Sequence, residues 1–197
     1  MRRSIILVIL ILVSICLSAC TQIQISQETY AFKDKSNISI DDRNFVLEDT
    51  PQNIAEETVI KDFLYTITAE FDAKYDILSD IEPHKISIEN QKKQFEDNIY
   101  TQSYIIHRIS TLSEKEYSEQ KLDNGEQNPL YYYGWKECIE KYKLTEYEII
   151  NIKFTQTLSK RAIEYGAQWG NGTFSRSFIV GKTADDNDYR IFDFGFM

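Results

Sequence analysis

The sequence is poor in the residues that staple or metallate small secreted folds, with three cysteines and two histidines in 197 residues. Three cysteines cannot make a disulfide framework, and neither they nor His84 and His107 fall at zinc-ligand spacing, so no metal is expected. Positive charge is also short. Lys plus Arg number 22 against 31 Asp plus Glu, a formal charge of −9. Such a surface repels phosphate backbones, which excludes nucleic acid as a partner. Nor does the apolar run near the start reach bilayer length: residues 5–17, broken by Ser14, cover 13 positions, against the roughly 17–25 that a spanning helix needs. What is present is an apolar content of 42%. That suffices for one compact core, and the chain is too short for two full-sized domains.

Residues 1–20 read Met-Arg-Arg, then the apolar run, then Ser18-Ala19-Cys20. A basic start, a short apolar stretch and small residues before a cut are the three parts of a secretory signal peptide. The last four residues, Leu17-Ser18-Ala19-Cys20, resemble the lipobox of bacterial lipoproteins, in which the cysteine thiol takes a diacylglyceryl group and the peptidase cuts in front of it. The resemblance implies that residues 1–19 are a lipoprotein signal peptide and that Cys20 is lipidated. It places the protein on the extracytoplasmic face of a bacterial, Gram-positive cell membrane. Two acyl chains meet the two-signal requirement for stable anchoring. Loss of Arg2 and Arg3 with the signal takes the formal charge from −9 to −11, so attraction to anionic headgroups cannot hold the chain and the lipid must. Cys16 leaves with the signal and Cys20 is modified, which leaves Cys138 without a disulfide partner.

Residues 20–49 are polar around isolated apolar positions and read as a lipidated tether and lead-in. The alternations Ile38/Ile40 and Phe45/Leu47 are open to a short strand or to a lead-in packed on the domain; the second is preferred. Residues 50–197 form the domain. A helix is expected from Thr50-Pro51, with Thr as its cap and Pro in its first turn. Its stripe of Ile60, Phe63, Leu64, Ile67 and Phe71 follows the 3.6-residue period and continues towards Tyr75 and Leu78. Glu56, Glu57, Lys61, Asp62 and Glu70 form its solvated face, and Pro83 ends it or marks the turn beyond. A second helix is expected near Ser87, carrying Ile88, Gln91, Phe95 and Ile99. Tyr104-Ile105-Ile106 is open to strand or helix tail, and residues 113–129 read as a surface loop with an Asn124-Gly125 turn. Trp135, Cys138, Ile139 and Tyr142 stand at i, i+3, i+4 and i+7 of a further helix, with Cys138 as a small buried hydrophobe.

From Tyr147 the period changes to two. Ile150, Ile152 and Phe154 alternate with Asn151, Lys153 and Thr155, the signature of a half-buried strand. Residues 159–166 read as a short helical connection closed by its glycine. Phe174, Arg176, Phe178 and Val180 alternate in a second strand, Asp185-Asp186-Asn187-Asp188 makes a turn, and residues 189–196 form a last strand. Three strands with short connections are antiparallel. Helices first and a meander last give an α+β fold.

That order of elements resembles the nuclear transport factor 2-like superfamily, also called SnoaL-like, over residues 51–196. Trp135, the Tyr142-Lys143-Leu144-Thr145-Glu146-Tyr147 junction, residues 168–172 and 178–182 and the Tyr189-Arg190-Ile191 run are similar to Gram-positive lipoproteins carrying such a domain. The resemblance implies N-terminal helices packed on a curved, cone-like antiparallel sheet with a cavity between them. The superfamily holds isomerases, dehydratases, polyketide cyclases and non-catalytic binding modules, so fold alone does not choose.

Catalytic relatives place an acid or base and hydroxyl donors inside that cavity. The matching types here are Asp97, Tyr100, Tyr104 and His107, beside Trp135: a Tyr hydroxyl could stabilise a developing enolate and a carboxylate could move a proton. The plainer reading gives these tyrosines a ring in the core and a hydroxyl at its edge, with His107 structural. The acidic run from Asp185 lacks the spacing, mid-loop glycine and terminal Glu of an EF-hand. Gly181-Lys182-Thr183 is a chance match to a phosphate loop, since Arg176 stands where the first glycine belongs. Tyr131, Tyr132 and Tyr133 with Trp135 form the candidate recognition surface. The expectation is a lipid-anchored, non-enzymatic lipoprotein that binds a small apolar ligand or an envelope protein and uses no cofactor. The alternative is a lipid-anchored isomerase or dehydratase-like enzyme working through a cavity carboxylate or His with Tyr hydroxyls.

Overall fold

The computed structural model describes Phe32, residues 37–113, 115–116 and 129–196. The signal peptide, Cys20, most of the tether and most of the 113–129 loop lie outside the described residues. Among those described, no helix is long and apolar enough to cross a membrane.

The chain first forms β1 (Asn37–Ile40) and β2 (Arg43–Leu47), an antiparallel pair turned at Asp41, whose φ is 56°. The preferred lead-in is therefore a strand pair. Arg43, Phe45 and Leu47 point inward from β2 in strict alternation. β2 lies parallel to β3 (Thr101–Leu112), from Asn44 opposite Ser103 to Leu47 opposite Ile106. A parallel pair needs a long crossover, and the helices between the two strands supply it.

Helix α1 spans Ile54–Thr68, three residues later than Thr50-Pro51 suggests. Asn53 is the cap, its side chain accepting from the Glu56 amide at 2.8 Å, while Glu56 reaches back to accept from the Gln52 amide at 2.6 Å. This reciprocal arrangement satisfies two amides at once, which Thr50 could not do. It also takes Glu56 off the solvated face, since Glu56 is buried and accepts from Thr111 as well. Val59, Ile60, Phe63, Leu64 and Ile67 form the buried stripe. The helix stops at Ala69, which takes the left-handed conformation with φ 60°. Phe71 and Leu78 are buried as the stripe predicts and Tyr75 is half-buried, but they come from a 3-10 turn and from the short α2 (Lys74–Ile77) and its C-terminal cap. Pro83 sits in the first turn of α3 (Glu82–Glu96), where its missing N–H costs no hydrogen bond. It starts a helix that was expected to begin near Ser87.

The remaining elements are α4 (Pro129–Tyr142), β4 (Glu146–Leu158), α5 (Lys160–Tyr165), β5 (Gly172–Lys182) and β6 (Arg190–Phe196). Ser159 caps α5 through the Ala162 amide and left-handed Gly166 closes it, as its flanking residues predict. The strands form one sheet in chain order, antiparallel throughout except for β2 and β3. The result is an α+β fold with a mixed, mostly antiparallel six-stranded sheet that is not closed into a barrel. Part of the β6 edge is covered: Leu78 bridges to Ile191, and the Ser79 amide donates to the Ile191 carbonyl at 2.9 Å.

Alternation along the strands divides the core in two. Ile150, Ile152, Phe154, Phe178 and Val180 face α1 in the main cluster. Ile149 and Ile179, one residue out of phase, join Trp135, Cys138 and Phe192 under α4 on the opposite face.

Candidate functional site

The two layers do not meet everywhere. Between the helices and strands β3 to β6 lies a cavity of about 740 Å³, within the ~300–1,000 Å³ typical of small-molecule sites. Each wall comes from a different element. Helix α1 places Asp62 and Thr66 one turn apart on the same side, α2 adds Lys74, α3 adds Gln91 and Phe95, β3 adds Tyr104, β4 adds Gln156 and β5 adds Arg176.

Lys74 is the organising cation of the helical wall. It is almost completely buried, and its Nζ donates to Asp62 at 2.9 Å, Thr66 Oγ1 at 2.6 Å and Gln91 Oε1 at 2.8 Å. An ammonium has three protons, so all three are used and its charge is paired. The network ties α1, α2 and α3 together. On the sheet wall Gln156 is buried and donates to the carbonyls of Gly170 at 2.9 Å and Trp169 at 3.4 Å, which fixes the segment after α5 to β4. That segment forms one lip. Tyr165, Trp169 and Phe194 are exposed aromatic residues at the mouth.

Arg176 is the second cation of the cavity. Its guanidinium carbon lies 5.0 Å from the Phe194 ring centre, 5.7 Å from Phe154 and 6.0 Å from Phe178, within cation–π range of all three. Burial pushes its pKa down, while Tyr104 and Asp62 work in the opposite direction. Tyr104 lies beside it, packed edge-on against Phe63 at 4.8 Å, and burial drives its phenol pKa up. His84 also reaches the wall. Its Nδ1 is 3.0 Å from Ser79 Oγ, and burial holds its pKa below the ordinary imidazole value.

The four residues singled out for catalysis are not brought together. Tyr100 and Tyr104 line the cavity; Asp97 and His107 do not. Tyr100 donates to Asp42 at 2.9 Å. Asp97 is the exposed C-terminal cap of α3. His107 sits at a register shift of β3, between Glu48 at 2.7 Å and Thr155 Oγ1 at 2.7 Å. Trp135, expected at a recognition surface or cavity, is 6% exposed and belongs to the cluster under α4. Tyr131, Tyr132 and Tyr133 lie in α4, with side chains outside the described residues. Cys138 is buried, and desolvation pushes its thiol up to about 11. Asp186 accepts from the Thr183 amide and hydroxyl at 2.9 and 2.7 Å, which makes the acidic run a side-chain-closed turn. Among the described residues no group of His, Cys, Asp and Glu could hold a metal ion.

The sequence reading missed Arg176 and Lys74. A signal existed for the first: Arg176 stands between Phe174 and Phe178 in one alternation, a cation in the inward register of a strand. Lys74 carries no local signal, because its three partners come from two other helices.

No known family model matches the sequence, and no curated protein matches it. Among solved structures, the intermembrane space region of the chloroplast protein ARC6 is distantly similar, with a TM-score of 0.42 and 10% identity over 75% of this chain and 98% of that one. A similarity of that size leaves function to be argued from the cavity itself.

Proposed function

We propose that this protein is a lipid-anchored binding module on the extracytoplasmic face of the membrane, and that its helix–sheet cavity takes a small, mostly apolar molecule. The observation that carries this reading is the cavity of about 740 Å³, walled by aromatic rings and crossed by a few fixed polar groups. Binding is favoured over turnover because two of the four candidate acid, base and hydroxyl residues, Asp97 and His107, stand outside it. The polar groups of Lys74, Asp62 and Gln156 spend hydrogen bonds on one another and on backbone, which holds the walls in place. Helices packed on a mostly antiparallel sheet, with a cavity between, also support the resemblance to the nuclear transport factor 2-like superfamily and its binding modules. The anchor rests on Leu17-Ser18-Ala19-Cys20 and on the acidic charge that rules out electrostatic adhesion.

Gln94 is exposed on α3 and lines the mouth, so Gln94→Trp should narrow access without touching the core. With the lipoprotein in nanodiscs and empty discs as the blank, 6-phenylhexanol is expected to bind saturably, and the variant should bind at least tenfold more weakly. No saturable binding to the unmodified protein refutes the reading. Cys20→Ser is expected to release the protein from the membrane fraction or leave it unprocessed. Unchanged retention, with no lipid mass at the N-terminus, refutes the anchor.

A further inference from the structure

We infer a second site, on the face of the sheet away from the cavity, where Thr155, His107 and Glu48 act as nucleophile, base and orienting carboxylate for acyl transfer from small carboxylic esters. Thr155 is one residue out of phase with Phe154 and Gln156, which face the helical layer and the cavity, so its side chain stands on the opposite face. There three side-chain contacts run in series. His107 Nδ1 is 2.7 Å from Glu48 Oε2, His107 Nε2 is 2.7 Å from Thr155 Oγ1, and Thr155 Oγ1 is 2.7 Å from Thr173 Oγ1. A carboxylate only accepts, so Nδ1 carries the proton it shares with Glu48, and in the neutral ring Nε2 then accepts from the Thr155 hydroxyl. That leaves Thr173 to donate to Thr155. A hydroxyl is activated by this order of roles, a base within hydrogen-bond reach that is itself oriented by a third group.

Backbone contacts hold the set in place. The Glu48 amide donates to the Ile106 carbonyl at 2.9 Å, and Asp49 accepts from the Ile109 amide at 3.0 Å, so residues 48 and 49 clamp β3 on both sides of His107. Ile105 stands opposite Thr155 and Arg108 opposite Lys153, which makes His107 the extra residue of the register shift between them. An extra residue of this kind re-aims a side chain, and here it brings the imidazole to Thr155. Bonds between side chains are the scarce class in folded proteins, roughly 10–15% of the total. These three also run through groups that solvent reaches: the His107 side chain is 33% exposed, that of Glu48 is 52% exposed, and Thr173 is exposed. Lys153 and Arg108 are exposed too. Lys153 precedes Thr155 by two residues on the same face, so positive charge stands near the position where the adduct's oxygen becomes negative.

In the reaction, Thr155 Oγ1 bonds to the ester carbonyl carbon while His107 Nε2 takes the hydroxyl proton. The tetrahedral adduct collapses with cleavage of the ester C–O bond, and the leaving alcohol takes that proton from Nε2. Water then attacks the acyl-Thr155 ester with His107 again as base, which releases the carboxylic acid and restores the hydroxyl. Glu48 touches no substrate atom. It is a positioning residue that keeps the proton on Nδ1.

The test is hydrolysis of 4-nitrophenyl acetate by the full lipoprotein in nanodiscs, with empty discs as the blank and acid-quenched samples mapped for acetylated residues. The unmodified protein is expected to exceed Thr155→Val, which keeps the branched shape and removes the hydroxyl, by at least about tenfold, a conservative part of the ~10²–10⁴ that a positioned base supplies. It should carry acetyl on Thr155. Thr155→Ser should retain the rate, and Glu48→Gln should lower kcat by a similar factor with KM unchanged. Circular dichroism establishes that each variant is folded. Equal rates for the unmodified protein and Thr155→Val would mean that an imidazole acts alone, which overturns the assignment. A rate no greater than the blank, acetyl only on other residues, or an unchanged kcat for Glu48→Gln overturns it as well. None of these results bears on the cavity, since no cavity residue takes part.

Discussion

Phe63→Ala is expected to lower unfolding free energy by about 3–5 kcal/mol, the range for deleting a buried aromatic side chain. Phe63 is 3% exposed and stands at the centre of the inner layer. Its ring meets Tyr104 at 4.8 Å, Phe154 at 4.9 Å and Phe178 at 6.0 Å, each near edge-to-face. Those partners come from β3, β4 and β5, so one side chain of α1 joins the helical layer to three strands. Edge-to-face pairs each add roughly 0.5–1.5 kcal/mol beyond burial, and neighbours held by backbone ladders cannot collapse into the void. Urea unfolding checks this, with Phe63→Leu expected to lose less than half as much. A loss under about 1.5 kcal/mol for the alanine variant, the cost of a tolerated volume-conserving swap, would mean that the layers are joined elsewhere.

Lys74→Met is the second large effect, expected at about 3 kcal/mol, the lower end for breaking a buried ion pair. Methionine keeps the volume and removes the charge, so the loss reports on Asp62, Thr66 and Gln91 left without their donor. The lower end applies because the Asp62 side chain retains 21% exposure and can recover some hydration. Adding Asp62→Leu should restore at least half of the loss, since an apolar pair removes the stranded carboxylate. A single variant within about 0.5 kcal/mol of the parent, the scatter of ordinary surface changes, would contradict the role assigned to the network. The same substitution should weaken 6-phenylhexanol binding, because the network sets where α1, α2 and α3 stand around the cavity.

Much of the fold was legible because the signals were local. The stripe through Phe63 and Ile67, the alternation of Ile150, Ile152 and Phe154, and the Ser159 and Gly166 ends of α5 each depend on residues within one or two turns of each other. Short segments were less legible. Ile38/Ile40 and Phe45/Leu47 are too brief to separate strand from coil by pattern, and what makes β2 a strand is the exposed side of β3, more than fifty residues away in sequence. The end of α1 was missed for a related reason: Phe71 and Leu78 keep facing the core after Ala69 has broken the helix, so the apolar period outlives the structure that produces it.

The site divides along the same line. Local order alone determined the N-terminal lipobox pattern, the acidic charge, the α+β class and the inward register of Arg176. Tertiary structure decided that Tyr104 and Arg176 share a wall, that Lys74 closes a network across three helices, and that Asp97 and His107 stand outside the cavity. Periodicity reports which face of an element is buried. It carries no information about which faces of distant elements meet, and a cavity exists only where two such faces fail to close.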